Sequence, residues 1–199
     1  IKRYFPTARI ARMDRDTMND DKAYNEIFEK YKKGEIDILV GTQMIVHGWD
    51  IPSVDLAAVI SIDESLLIPD YTSEEKVFEL VTQLAGRTGR GDARGLLVLQ
   101  TSNPDLWVFD MIQKNDYLSF VKRELLTREN FGYPPFGEIV KLSISGFDRD
   151  IIEKKAVELF EKLKNKITSY QDSKIEIIGP VSPLIEKKYG RYWKNIIIK

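Results

Sequence analysis

Two arginines three residues apart, Arg87 and Arg90, stand in the run Q-L-A-G-R-T-G-R-G over residues 83–91. Guanidinium is planar, permanently charged and able to make two parallel hydrogen bonds to a phosphate. Gly86, Gly89 and Gly91 beside the arginines are expected to let the backbone turn without a Cβ clash, and Gln83 stands one helical turn before Arg87. Such a group could grip phosphate oxygens; taken alone, it equally fits a helix that frays into a basic, glycine-punctuated loop. A second group follows an apolar stretch at 36–40: Gly41, Thr42, Gln43 and Met44, then His47, Gly48, Trp49, Asp50, Ile51 and Pro52. A small residue, a hydroxyl, an amide and a carboxylate at the end of a buried strand could hold a nucleotide edge or a phosphodiester backbone. They also fit a turn with a capping threonine and an ordinary loop aspartate. In a third group Lys187, Lys188, Arg191 and Lys194 alternate with Tyr189, Tyr192 and Trp193. Cations mixed with aromatic rings suit phosphate neutralisation with base stacking, or an edge strand guarded from aggregation by its lysines.

The elements that must carry these groups follow from hydropathy patterning. Residues 9–13 read as a strand and residues 20–33 as a helix, with Ala23, Tyr24, Ile27, Phe28 and Tyr31 at helical spacing and Gly34 as its C-cap. Residues 36–40 and 56–62 are nearly continuous apolar strands of the kind covered on both faces. Ser73 caps a helix through Val77, Leu80, Val81 and Leu84 that delivers the arginine loop, and residues 95–101 form the next strand. This alternation predicts a parallel sheet with helices on its faces, and ligands at the carboxyl ends of the strands. Both motif loops are then expected at one edge of one sheet. Helices are expected over 104–114 and 117–129. The segment F-G-Y-P-P-F-G at 131–137 breaks helix and strand alike, which places a junction there between residues 1–130 and 138–199. The remainder, a strand over 138–147, a helix over 150–170, a strand over 175–178 and a hairpin over 181–199, is most of an α+β sandwich.

Composition narrows the classes further. The formal net charge is −1 over 199 residues, so the chain has no diffuse field to hold nucleic acid or anionic lipid, and any such contact must come from local clusters. The absence of cysteine excludes disulfides and thiolate zinc sites within the chain and fits a cytoplasmic protein. No run approaches the length of a membrane span. The start at Ile1, with no initiator Met and a Pro6 that would stop a helix, reads as a chain cut from a longer one.

The run I-L-V-G-T-Q-M-I-V-H-G-W-D-I-P-S-V at 38–54, followed by Q-L-A-G-R-T-G-R-G, resembles motifs V and VI of superfamily 2 helicases. Five features together narrow the resemblance to the replication-restart helicases of the PriA family. They are A-R-M-D-R-D-T at 11–17, G-T-Q-M, the spacing to motif VI, Y-P-P-F at 133–136, and G-P-V-S-P at 179–183 with G-R-Y-W-K at 190–194. A branch-migration helicase of the RecG type shares Q-L-x-G-R-x-G-R but not the last two features. A non-catalytic adaptor with a lobe-like fold is the reading from another class.

The resemblance implies an α/β chain: part of a parallel-sheet, RecA-like helicase lobe, incomplete, followed by a smaller α+β DNA-binding domain. It implies ATP with Mg²⁺ bound mainly by a first lobe outside this chain, and zinc held elsewhere in the parent by a cysteine cluster. Arg87 and Arg90 match arginine-finger positions, and Gln83 the position that organises the γ-phosphate or the attacking water. Asp50, with Gly48 and Gly86, falls on the nucleotide side. Thr42 and Gln43 match positions on the DNA backbone, and Lys187, Lys188, Arg191, Trp193 and Lys194 fall in the DNA-binding hairpin. The family most often has Lys at the position of His47, and commonly Leu or His at that of Trp49. Implied partners are single-stranded and branched DNA, primosome proteins and single-strand-binding protein, with no membrane. With no G-x-x-x-x-G-K-[ST] phosphate loop in its sequence, the chain alone is expected to lack ATPase activity.

Overall fold

In the computed structural model, which describes residues 1–13, 21–42, 54–89, 95–169 and 175–199, the first strands are pinned at their start by one ion pair. The Arg9 guanidinium forks onto the Asp37 carboxylate at 2.9 and 2.5 Å, and the Arg9 amide donates to the same carboxylate at 2.8 Å. These bonds hold the Asp37 carboxyl down at about 2 and set the register of β1 (Ile10–Met13) against β2 (Ile38–Gly41), a parallel pair. Between them runs α1 (Asp21–Lys32). Its end is a Schellman motif: Gly34, at φ +68, donates to the Tyr31 carbonyl and Glu35 to that of Lys30, which only a left-handed residue after the helix allows. Ile27, Phe28 and Tyr31 of α1 close over the fully buried Met13, together with Leu39 and Val54.

A second parallel pair, β3 (Leu56–Val59) and β4 (Leu96–Leu99), carries the larger core. Against it lie α2 (Asp63–Leu66), α3 (Ser73–Ala85), α4 (Trp107–Lys114) and the start of α5 (Tyr117–Phe131). Ile62, Val77, Phe78, Leu80, Val81, Val108 and Phe120 are buried there, with the Phe78 and Phe120 rings stacked at 4.1 Å. Alternation along the strands sends Val59, Leu97 and Leu99 to this core. The opposite positions, Leu56, Leu96 and Val98, are exposed. Burial of both faces, expected from the unbroken apolar run, is thus met on one face only among the described residues.

The chain divides into two compact units, Ile1–Val121 and Lys122–Lys199, and the division falls inside α5. In the second unit β5 (Val140–Gly146), β6 (Ile177–Val181), β7 (Lys187–Lys188) and β8 (Arg191–Ile198) form an antiparallel sheet in the order β5-β8-β6, with β7 also on β8. The long helix α6 (Arg149–Ser169) buries Ile152 and Ala156, and Gly146 leaves room for Ile152, whose Cδ1 would lie 2.7 Å from an added Cβ. One α/β unit with parallel pairing thus precedes one smaller α+β unit, the fold class expected.

Candidate functional site

Helix α3 exists to present its end. Its apolar positions recur at helical spacing and fill the first unit's core, and Glu74 and Glu75 in the first turn suit the positive end of the helix dipole. The turn before it is held by Asp70, which accepts from the Thr72 amide (2.9 Å), the Thr72 hydroxyl (2.6 Å) and the Lys76 ammonium (3.1 Å). These hydrogen bonds, those from Thr72 foremost, bring the Asp70 carboxyl down to about 2. At the far end Gly86, Arg87 and Thr88 each donate back into the last turn. This is the partly negative end of the helix, so any grip on a phosphate must come from guanidinium groups and not from the helix backbone.

Past that end, the Val54 amide donates to the Arg87 carbonyl and the Gly89 amide to the Val54 carbonyl, both at 3.3 Å, so that Val54 and Thr88 form a parallel bridge. Gly89 takes φ +69, and a Cβ on Gly95 would sit 2.5 Å from Thr88 and collide with the Gly89 backbone. Gly86, by contrast, is right-handed helical with its nearest neighbours 3.6 Å from a notional Cβ; the expected need for glycine there is not met, whereas Gly89 and Gly95 are required. The half-buried Arg87 is therefore fixed through its own backbone to the residue that closes the second motif. Gln83 donates its amide to Glu79 at 2.9 Å. Thr42 is exposed just after β2. Gln43, Gly48, Asp50 and Arg90, with His47 and Trp49, lie outside the described residues.

The position of the loop differs from expectation. Arg87 to Gly89 sit at the amino ends of β3 and β4, not at the carboxyl ends, because a helix that crosses over between parallel strands must end where the next strand begins. The described strands of the first unit also form two separate two-stranded pairs, and among the described residues the Val54–Thr88 bridge joins the last residue of the run at 38–54 to the arginine loop.

In the second unit the basic-aromatic run splits by strand alternation. Lys194 points to α6: it is 9% exposed and its Nζ lies 2.5 Å from Glu153. Its charge is already matched on the helix-covered face, which removes it from a phosphate-binding set. Trp193 is half-buried, with its indole nitrogen enclosed and lacking a hydrogen-bond partner, so it packs more than it presents. Asn195, next along the same face, is buried and accepts from the Ser143 hydroxyl at 2.9 Å. Lys187, Lys188 and Arg191 are exposed, and none has a carboxylate partner among the described residues. Each instead lies over a ring: Lys187 over Tyr192, Lys188 over Tyr189 and Arg191 over Phe147, at 4.8, 5.2 and 4.8 Å. Tyr189, which was not among the hairpin residues the resemblance implied, is 86% exposed at the hairpin tip.

Among the described residues no group of three or more His, Cys, Asp or Glu side chains could hold a metal ion, and no helix is long and apolar enough to cross a membrane.

Comparison with known proteins agrees with this division. A family model described as helicase conserved C-terminal domain matches residues 2–92, and one described as primosomal protein N C-terminal domain matches 129–199. The chain therefore joins a segment that matches a helicase C-terminal domain to one that matches a primosomal C-terminal domain. Curated relatives align along its whole length: the replication restart protein PriA of Thermotoga maritima at 33% identity and that of Bacillus subtilis at 34%, each over 100% of this chain. The chain belongs to the PriA family, and spans about a quarter of the length of these relatives, 26% and 24% respectively. Among solved structures, the C-terminal domain of the DEAD-box protein Dbp5 aligns over 64% of this chain and 72% of its own, at 15% identity and a TM-score of 0.40.

Proposed function

We propose that this chain supplies the arginine side of an ATP site, together with DNA contacts, in a cytoplasmic ATP-dependent helicase that restarts replication at stalled or branched forks. The observation that carries the reading is the bridge from Val54 to Thr88. It ties the closing residue of motif V, whose Thr42 and Gln43 would meet the DNA backbone, to the loop whose Arg87 and Arg90 would meet the γ-phosphate. Two backbone hydrogen bonds join them, a route by which a shift at one motif would reach the other. ATP and its Mg²⁺ would sit chiefly on a partner lobe, with Arg87 and Arg90 reaching the phosphates, Gln83 beside them, and Asp50, Gly48 and Gly86 on the nucleotide side. Guanidinium groups are the donors such a site needs at a helix's negative end. Lobe closure would then depend on nucleotide state and move single-stranded DNA 3′ to 5′. Primosome proteins and single-strand-binding protein are the proposed partners.

The test is Arg90→Ala in the full-length parent. The expected result is a fall in DNA-stimulated ATP turnover of about 10³- to 10⁵-fold with DNA binding nearly intact. Near-normal turnover would remove Arg90 from the phosphate site.

A further inference from the structure

The turn between β7 and β8 contains a residue whose conformation packing does not account for. Tyr189 and Gly190 both have positive φ, +53 and +75, between the paired residues Lys188 and Arg191. This is the pattern of a two-residue type I′ turn, whose first position favours Asn, Asp or Gly. A bulky side chain in the left-handed region is an outlier, and such outliers cluster at ligand sites. Nothing in the fold is served by the tyrosine ring, which is 86% exposed. One face of it is taken by the Lys188 ammonium at 5.2 Å; the other is open. Lys188 and Arg191 flank the turn, with Lys187 one pair further along, and the carboxylate in the segment leading to the hairpin, Glu186, is engaged by Arg149 at 3.1 Å.

We propose that Tyr189 is the base-stacking residue of this unit. It is a ring held out on a two-residue turn, with Lys187, Lys188 and Arg191 placed to take the phosphates on either side of the stacked base. The ligand class is single-stranded nucleic acid, since a ring presented edge-free at a tip can meet the face of an unpaired base but not that of a base inside a duplex. The proposal rests on reading this unit as DNA-binding and adds the residue that gives it a preference for unpaired bases. Trp193, with its nitrogen enclosed, takes no part.

The test uses the 199-residue chain, a fluorescein-labelled oligo-dT and a duplex of equal length, titrated across salt concentrations beside thermal melts. Tyr189→Asn suits the left-handed backbone, so it is expected to fold at least as stably while weakening oligo-dT binding about 5- to 150-fold with an unchanged salt slope. Tyr189→Phe is expected to bind like the parent chain. Replacing Lys187, Lys188 and Arg191 together by Ala is expected to lower the salt slope by about 2, at about 0.7 per phosphate contact on a single strand. Equal binding by Tyr189→Asn and the parent chain overturns the proposal. If the triple variant has lost its salt dependence in that case, DNA binding by the hairpin stands and only the stacking assignment fails. If the triple variant also binds normally, the DNA reading of the hairpin fails with it.

Discussion

The two candidate surfaces of this chain are built in opposite ways. In the first unit, residues more than thirty positions apart, Val54 and Thr88, are joined by backbone hydrogen bonds, with Gly95 closing in where no side chain fits. In the second unit, three cations and a tyrosine within five consecutive residues, 187–191, stand on one hairpin, and the backbone's part is to hold a turn. A site assembled through the backbone should be most sensitive to small changes at glycine; one assembled from side chains should tolerate everything except loss of the particular groups.

The sharpest test of that contrast is a series of glycine substitutions in the first unit. Gly95→Ala forces a methyl group into the Thr88 backbone and is expected to cost about 3 kcal/mol of stability, the upper range for overpacking. Gly89→Ala, at φ +69, should cost about 1 kcal/mol from the left-handed backbone alone. Gly86→Ala, with helical dihedrals and room at 3.6 Å, should be neutral or slightly stabilising. Chemical denaturation followed by far-ultraviolet circular dichroism would rank them. Equal effects at all three would mean that the loop is not held by the close approach at Gly95.

The second unit yields smaller effects and a different pattern. Trp193→Ala removes a half-buried indole and is expected to cost about 2 kcal/mol, below the 3–5 kcal/mol range for fully buried aromatics. Lys194→Ala leaves Glu153, which is 46% exposed and can return to water, so about 1 kcal/mol is expected. Neither should change oligonucleotide affinity at temperatures where the variant is folded. Should Trp193→Ala instead weaken binding without lowering its melting temperature, the tryptophan faces the ligand and its exclusion from the binding residues is wrong.

Much of this was legible in the residues. Helical spacing located α3 and its arginine loop, Gly34 marked the end of α1, and the strand expected over 138–147 and the hairpin expected over 181–199 contain β5 and the β7–β8 pair. The motif runs pointed to the helicase class before any geometry was available. Three points were not legible, for physical reasons. An apolar run such as that of β3 does not say whether one face or both are covered, since Leu56 reads the same in either case. Glycine in a motif does not reveal its own dihedrals, so Gly86 and Gly89 look alike although only one needs φ above zero. Nor does a basic-aromatic run show which side chains are covered, which is why Lys194 and Trp193 stood with the exposed cations until the ion pair to Glu153 placed the one and the enclosed indole nitrogen the other.

A small expected loss lies at Asp70, and its value is that it tests how the first unit holds the start of α3. Asp70 holds the turn that starts α3, the helix whose other end carries Arg87. Its carboxyl is lowered from 3.8 to about 2, first by the Thr72 hydrogen bonds and then by Lys76. A group held below its unfolded value stabilises the fold at pH values above that unfolded value, and loses the contribution as pH falls through the folded one. The contribution should therefore be complete above about pH 4 and fade between about 4 and 2. Because the side chain is 37% exposed, solvent screens it, and Asp70→Asn should cost no more than about 1 kcal/mol at neutral pH. Asparagine keeps an oxygen to accept from Thr72 but loses the charge. Asp37, Asp63, Asp116 and Glu158 are also lowered by their hydrogen bonds, so absolute stability will fall in acid for several reasons at once. The difference between the parent chain and Asp70→Asn cancels those common terms. Urea titrations at pH 7, 4 and 2.5 should show that difference shrinking only between the last two. A difference unchanged across all three would show that the start of α3 is held by hydrogen-bond geometry alone, with no part for the charge.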